Sequence, residues 1–216
     1  MKARLPIIPG DLTVTVEEFS KRLDFAREVA DAIHIDVADG RFVPATTLEI
    51  EAWPNITLGY AEAHLMVRDP IPYLEKLKKV GITRSIVHIE SFFDPEQLVN
   101  HAREIDMLLG FAINPDTDLD HLRPFYEISN YIQVMGIVPG ATGQVMLTQT
   151  PASVSYLRRV PNRRLIISVD GGVHSQNVQN LFRVGANYCV ASSAIYDVGD
   201  WATNFQKLNE LVEATQ

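Results

Sequence analysis

The chain has 216 residues, of which 46% are hydrophobic and 21% charged, and its formal net charge is −8. This composition is typical of a globular protein with enough apolar residues for one large core. The negative charge, without a cluster of Lys and Arg, argues against nucleic-acid binding. No apolar run reaches the roughly 18 residues that a membrane span requires. The one cysteine, Cys189, allows no internal disulfide, so we expect a cytoplasmic protein.

Short apolar runs alternate with longer amphipathic segments, a pattern that predicts parallel strands joined by helices. The predicted strands are residues 4–8, 32–37, 61–67, 84–89, 107–113, 131–138, 165–169 and 188–191. The predicted helices are residues 16–30, 118–126, 151–159, 175–184 and 201–213, two that begin at Asp69-Pro70 and Asp94-Pro95, and a short one within residues 48–53. In both Asp-Pro pairs we expect the aspartate to cap the helix.

Eight strand-helix rounds in a chain of this length predict one (β/α)₈ barrel domain spanning residues 1–216. An open doubly wound sheet would show the same alternation. No GxGxxG sequence follows the first strand, which removes the commonest reason to prefer the open sheet. The choice then depends on where the polar residues fall.

Polar side chains fall at the ends of three predicted strands. His34 and Asp36 share one face of the second strand, because side chains alternate with a period of two. His64 lies at the same level of the third strand, and Asp170 ends the seventh. Alone, each of these residues would be assigned a structural role. Together they predict one divalent metal site at the barrel rim, and the mixed N/O donors suit Zn²⁺, Fe²⁺, Mn²⁺ or Co²⁺.

His88 and Glu90 also share a face, on the fourth predicted strand. No second pattern supports them as ligands. We therefore expect either a structural role or a supporting role beside the metal ligands, rather than direct binding of the ion.

Six motifs in this order resemble the ribulose-phosphate 3-epimerase family, and the resemblance covers residues 33–195. The motifs are HIDVADGRFVP at residues 34–44, AHLMV at 63–67, VHIE at 87–90, AINPDT at 112–117, VMGIVPGATGQ at 134–144 and VDGGV at 169–173.

The resemblance implies a metal-dependent isomerase that inverts carbon 3 of a ketose phosphate, most simply D-ribulose 5-phosphate to D-xylulose 5-phosphate. By the same resemblance, His34, Asp36, His64 and Asp170 bind the ion, and Asp36 and Asp170 transfer the protons by way of a metal-stabilised enediolate. The substrate contacts that it implies are Met66, Met135, Gly140, Gly143, Gly171, Gly172, Ser192 and Ser193. The residues 139–144 resemble a lid, and family barrels are often dimeric or larger, which leaves a homo-oligomer open.

Several positions depart from the family pattern, and all of them concern the substrate rather than the metal. They are Ile7 in place of a serine, Ala38 in place of a methionine, Ala141 in place of a lid aromatic, Thr142 in place of a lid glycine, and Ser192 in place of a glycine. These changes keep three alternatives open: an epimerase for a ketohexose phosphate such as allulose 6-phosphate, a related barrel lyase, and a non-catalytic sugar-phosphate binder. Against the lyase, Val37 and Ala38 stand where such barrels carry a lysine.

Overall fold

The computed structural model describes residues 6–140 and 143–215. Eight parallel strands form a closed barrel, in which each strand pairs with the next and the last pairs with the first. The strands are β1 (Ile7–Asp11), β2 (Ala32–Ala38), β3 (Tyr60–Met66), β4 (Arg84–His88), β5 (Leu108–Ile113), β6 (Tyr131–Met135), β7 (Ile166–Asp170) and β8 (Tyr188–Ala191). The predicted (β/α)₈ barrel is confirmed, and the open sheet is excluded.

The helices surround the barrel. They are α1 (Val16–Val29), α2 (Ile71–Lys79), α3 (Pro95–Glu104), α4 (Thr150–Arg158), α5 (Val178–Arg183), α6 (Ser193–Tyr196) and α7 (Trp201–Glu213). The connections after β2 and β5 contain 3-10 helices, Ile50–Ala52 and Leu119–Glu127. Pro124 lies inside the second one and has no N–H for an α-helical bond, so the α-helix predicted there is wrong. Among the described residues, no helix has the length and apolar character needed to cross a bilayer.

The main apolar core lies between the barrel and its helices. On β2 it takes Ile33, Ile35 and Val37, each at most 4% exposed. Burying one such side chain stabilises the fold by roughly 1.5–3 kcal/mol. The residues between them, His34 and Asp36, point the other way because side chains alternate along a strand. The apolar face of β2 therefore fixes which of its polar residues enter the barrel.

The first strand begins later than predicted. It spans Ile7–Asp11 rather than residues 4–8, and its Gly10 pairs with His34; residues 4 and 5 lie outside the described part. Pro9 and Gly10 resemble the start of a loop because both residue types are rare in strands. Ile7, the first residue of the observed strand, is fully buried in the main core. Ile7, which stands where the family has a serine, does not line the cleft at the barrel mouth, whereas Gly10 of β1 does.

The two Asp-Pro pairs behave differently. Asp94 caps α3, and its Oδ1 accepts a hydrogen bond from the backbone N–H of Gln97 at 2.8 Å. The prediction for Asp69 is wrong, because Pro70 occupies the N-cap position of α2 and no side chain caps that helix. Pro72 stands in the first turn of α2, where the backbone N–H that proline lacks would have no partner within the helix. The helix therefore begins at Ile71, one residue later than the Asp69-Pro70 pair predicts.

Asp11, at the end of β1, is a buried carboxyl group. Its Oδ2 accepts a hydrogen bond from Thr13 at 3.0 Å, and its Oδ1 lies 3.5 Å from Arg22 Nη1. Burial raises the pKa of Asp11 to about 7, although Arg22 and the Thr13 hydroxyl act in the opposite direction. The folded protein thus holds this proton more tightly than the unfolded chain does. The stability it contributes is complete below about pH 4 and is lost as the pH rises to about 7.

We therefore expect Asp11→Asn to flatten the pH dependence of the unfolding free energy between about pH 4 and pH 7. The lost slope is at most about 1.4 kcal/mol per pH unit. Urea unfolding at intervals across this range measures it. The exposed Asp69, changed to Asn, is the control and should leave the slope as it is. An unchanged slope in the Asp11 variant would show that this carboxyl does not titrate in the window.

Candidate active site

Four side chains from three strands meet inside the barrel. His34 and Asp36 lie on β2, His64 on β3 and Asp170 on β7, and one ligand atom of each lies within 4.8 Å of the others. Strands β3 and β7 face each other across the closed barrel, so the 3.4 Å between His64 Nδ1 and Asp170 Oδ2 spans its axis. Asp36 Oδ1 lies 2.8 Å from His64 Nδ1. The four residues predicted as metal ligands thus form one cluster.

The charges in this cluster depend on one another. Burial opposes protonation of His34, but the carboxylates of Asp36 and Glu62 outweigh it and raise the pKa of His34 well above its usual value. The pKa of His64 is raised, against burial, by Asp170 and Asp36. Burial acts to raise the pKa of Asp36, yet its contacts with His34 and His64 lower it. The carboxylates therefore require positive charge between them, which protons on the histidines or a divalent cation can supply.

The surroundings of the His34 Nε2 atom fit a bound metal ion. It is buried and makes no hydrogen bond with the described residues. It nevertheless faces Asp36 Oδ1 at 3.5 Å and Asp170 Oδ2 at 3.7 Å. Buried polar atoms are normally hydrogen-bonded, and two imidazoles with two carboxylates are a donor set for divalent transition metals. The four side chains could therefore hold one divalent ion.

Two buried residues that the sequence analysis missed contact this cluster. Glu62 Oε1 lies 2.8 Å from His34 Nδ1, and Gln133 donates from Nε2 to Asp170 Oδ2 at 3.2 Å. Each stands two positions before a predicted site residue on its own strand, so the period of two could have found both. Partners of this kind fix the orientation of metal-binding side chains.

Glu62 is itself held in a polar network inside the barrel. Tyr131 donates to Oε1 at 3.2 Å, and the Tyr60 hydroxyl donates to Oε2. Arg84 donates to the Tyr60 hydroxyl at 2.6 Å, and its guanidinium lies 4.2 Å from the centre of the Tyr131 ring. A buried carboxylate destabilises a protein unless it is paired. This network supplies the partners and holds the Glu62 carboxylate against His34.

His88 lies directly behind His64. The two Nε2 atoms are 2.8 Å apart, and His88 Nδ1 is 3.1 Å from Glu90 Oε2. Burial lowers the pKa of His88 to about 4, although Glu90 acts to raise it. His88 is not one of the four clustered donors, and its ring contacts that cluster through His64.

A cleft of about 520 Å³, counting the part open to solvent, lies over the cluster at the barrel mouth. Asp36 and Asp170 line it, whereas the fully buried His34 and His64 do not. All the predicted substrate contacts lie in its wall: Met66, Met135, Gly140, Gly143, Gly171, Gly172, Ser192 and Ser193. The wall also contains Pro139 of the lid segment and residues that the sequence analysis did not single out: Gly10, Leu12, Ile137, Val173 and Val190. None of the described arginines or lysines lines this cleft.

The departures from the family pattern fall in different places. Ala38 packs with Val43 and Met66 in a small apolar cluster beside the cleft. Ser192 is in the cleft wall. Ala141 and Thr142 lie outside the described residues.

The backbone at Gly172 approaches another segment closely. Its φ is +69°, and a Cβ there would lie 2.7 Å from the backbone N of Met146. Gly143 has a similar φ of +76°, but no described atom lies within 4 Å of its Cβ position. Substitutions at Gly143 and Gly172 therefore separate the effect of backbone conformation on stability from the effect of a steric clash with Met146.

We expect both Gly143→Ala and Gly172→Ala to lose about 1–3 kcal/mol of unfolding free energy from the left-handed conformation. Gly172→Ala should lose roughly 1–3 kcal/mol more, because Met146 must move. Urea unfolding of the two variants and the unchanged protein measures the difference. Equal losses would mean that the segment around Met146 yields without resistance.

Comparison with known proteins identifies the family. The sequence model described as "Ribulose-phosphate 3 epimerase family" matches residues 7–196, a span that contains all four clustered residues. The chain belongs to this family. It is accordingly an enzyme of the isomerase class.

Curated relatives match along almost the whole chain. The ribulose-phosphate 3-epimerase of Synechocystis sp. is 30% identical over 211 residues, which cover 94% of this chain and 92% of the relative. The protein named as the cytoplasmic isoform of ribulose-phosphate 3-epimerase in Oryza sativa subsp. japonica is 32% identical over 223 residues, which cover 99% and 97%.

Solved structures with the same barrel include enzymes of other names. The 3-hexulose-6-phosphate synthase of Salmonella typhimurium superposes with a TM-score of 0.70 at 16% identity, covering 98% of this chain and all of that one. The orotidine 5'-monophosphate decarboxylase of Sulfolobus solfataricus gives a TM-score of 0.69 at 14% identity, covering 98% and 99%. At these identities the likeness shows the fold alone.

Proposed function

We propose that this family member inverts carbon 3 of a ketose phosphate, converting D-ribulose 5-phosphate to D-xylulose 5-phosphate. The observation that carries the proposal is that Asp36 and Asp170 are the two members of the cluster that line the cleft. They come from β2 and β7, on different sides of the barrel mouth. A carbon held between them can lose its proton to one carboxylate and receive a proton from the other on the opposite face.

One divalent ion, Zn²⁺, Fe²⁺, Mn²⁺ or Co²⁺, would be held by His34, Asp36, His64 and Asp170. When bound, it would supply a Lewis acid that stabilises negative charge on the oxygens next to carbon 3. The two histidines, which are fully buried, would act only as ligands. The two aspartates would combine ligation with proton transfer.

The two carboxylates have different surroundings. The lowered pKa of Asp36, produced by His34 and His64 against the effect of burial, keeps this group ionised at neutral pH, as a proton acceptor must be. Asp170 accepts the amide N–H of Gln133 on Oδ2, which fixes its orientation. Two carboxyl groups that act as acid and base need different surroundings, and Asp36 and Asp170 have them.

The rest of the cleft suits a sugar phosphate. Met66 and Met135, 2% and 3% exposed, would form an apolar wall that keeps water from the reacting carbon. Because no described cationic side chain lines the cleft, the phosphate would bind to backbone amides of Gly171 and Gly172 and to the hydroxyls of Ser192 and Ser193. Residues 139–144 would form the lid over it.

The direct test is to incubate the purified protein, loaded with Zn²⁺, Fe²⁺, Mn²⁺ or Co²⁺, with D-ribulose 5-phosphate and to measure D-xylulose 5-phosphate. Allulose 6-phosphate should be tested in parallel, because faster turnover of the hexose would establish the alternative substrate. A variant with Asp36→Asn and Asp170→Asn is the negative control. No product from either sugar would contradict the proposed reaction.

The other two alternatives make distinct predictions. A related lyase would bring a lysine to the barrel mouth, yet the described lysines all lie on α1, α2 and α7. A non-catalytic binder would bind the sugar phosphate without exchanging the proton of carbon 3 with deuterium from the solvent. The exchange experiment therefore separates the epimerase from the binder even if net conversion is slow.

Cellular location and assembly belong to the same proposal. A cytoplasmic location is supported by Cys189, a free and buried thiol of the kind that persists in reducing compartments. A homo-oligomer stays a prediction that native mass measurement tests.

A further inference from the structure

His88 and Glu90 are buried or half-buried titratable groups that the proposed reaction does not use. His88 is fully buried, and the Glu90 side chain is 20% exposed. The His88 ring bridges two partners, His64 Nε2 at 2.8 Å and Glu90 Oε2 at 3.1 Å. The other Glu90 oxygen accepts the backbone N–H of Asn114 at 2.8 Å. His64, His88 and Glu90 thus form a chain that leads away from the cluster.

The contact between the two Nε2 atoms requires one proton. Nitrogen atoms 2.8 Å apart form a hydrogen bond only if one is protonated and the other offers its lone pair. His64 faces Asp36 and Asp170 with Nδ1. For Nδ1 to bind a metal ion in the neutral ring, the ring proton of His64 must be on Nε2. His88 must then accept with Nε2 and carry its own proton on Nδ1, pointing at Glu90.

We propose that His88 and Glu90 are positioning residues that fix the tautomer of His64, so that it binds the metal ion through Nδ1. The inference rests on the metal site proposed above. Glu90 Oε2 accepts a hydrogen bond from the protonated Nδ1 of His88. His88 Nε2 is then a hydrogen-bond acceptor, and the His64 proton lies on Nε2. Histidine ligands usually depend on such an outer partner.

The two histidine ligands are therefore oriented in opposite ways. His34 faces the cluster with Nε2, because Glu62 contacts its Nδ1 directly. His64 faces the cluster with Nδ1, and its outer nitrogen reaches a carboxylate only through the ring of His88. One ligand thus has a carboxylate as its outer partner, and the other has an imidazole between itself and the carboxylate.

The surroundings of His88 keep this chain fixed. The ring of Phe42, from the loop after β2, lies 4.8 Å from the ring of His88, centre to centre. His88 and His64 rings are also 4.8 Å apart. The Asn114 N–H holds Glu90 from the end of β5. His88 is fully buried between these two rings, which holds its side chain beside His64.

The test compares two variants of His88 in the full chain. His88→Gln keeps an acceptor for the His64 proton, whereas His88→Leu removes it. Chelator competition with Zn²⁺ on the metal-free proteins measures the affinity. We expect His88→Leu to weaken zinc binding by about 10–100-fold, and His88→Gln to stay close to the unchanged protein. His121→Leu, at an exposed histidine outside the cluster, should have no effect.

A second measurement does not depend on how the variants fold. In the zinc-loaded, unchanged protein with ¹⁵N-labelled histidine, long-range ¹H–¹⁵N NMR should show His64 protonated at Nε2 and His88 at Nδ1. A proton on His88 Nε2, or zinc affinity in His88→Leu equal to that of the unchanged protein, overturns the positioning role. If the unchanged protein binds zinc no more tightly than His64→Ala, the metal site itself is wrong and the inference falls with it.

Discussion

Asp170→Asn is expected to slow net epimerisation strongly and to leave proton exchange at carbon 3 for one of the two epimers. An amide cannot accept or return the proton, whereas Asp36, on the other side of the cleft, still reaches one face of the carbon. Loss of one positioned acid or base lowers the rate by about 10²–10⁴-fold. Asp36→Asn should show the reverse pattern, with exchange only in the other epimer. Deuterium incorporation from D₂O, measured separately on each pentulose phosphate, reports both.

The asparagine variants need two controls. Each keeps an oxygen that can ligate, so metal content should be measured and activity expressed per bound ion. Asp116→Asn, at an exposed aspartate on the loop after β5, should keep full turnover. If both variants exchange the proton of the same epimer, the assignment of one carboxylate to each face is wrong.

The barrel could be predicted from the sequence because each strand has one face against the helices and the other inside the barrel. On β2, Ile33, Ile35 and Val37 enter the apolar core, while the residues between them enter the barrel. That alternation identified His34 and Asp36 as neighbours without any structure. The same rule applied to β3 would also have identified Glu62, whose buried carboxylate was overlooked because Glu is usually a solvent-exposed residue.

Contacts between distant segments could not be predicted from the sequence. Nothing in the spacing of His64 and His88 indicates that their Nε2 atoms lie 2.8 Å apart, since that depends on how β3 and β4 pair. The start of β1 was misplaced because Pro9 and Gly10 have weak strand propensity, and the neighbouring strands β2 and β8 override it. Local strand propensity therefore misplaced the start of β1, because pairing with the neighbouring strands determines where that strand begins.

Metal-dependent stability is the second large effect that we expect. A ligand at 100 times its dissociation constant stabilises the folded state by about 2.7 kcal/mol. For a chain of about 200 residues this corresponds to a rise in Tm of roughly 5–10 °C. Zn²⁺, Mn²⁺ or Co²⁺ added to the chelator-treated protein should produce this rise and restore turnover. Mg²⁺ should do neither, because it prefers oxygen ligands in an octahedral arrangement.

His34→Ala tests whether the stabilisation arises at the proposed site. The substitution also leaves Glu62 without its imidazole partner, and breaking a buried pair of this kind lowers stability by about 3–5 kcal/mol regardless of metal. The informative quantity is therefore the Tm difference with and without the ion in the same variant, which should vanish. His121→Ala, at an exposed histidine, should keep the full difference. Because the unbonded Nε2 of His34 faces both carboxylates, a metal-dependent rise that persists in His34→Ala would place the ion elsewhere in the protein.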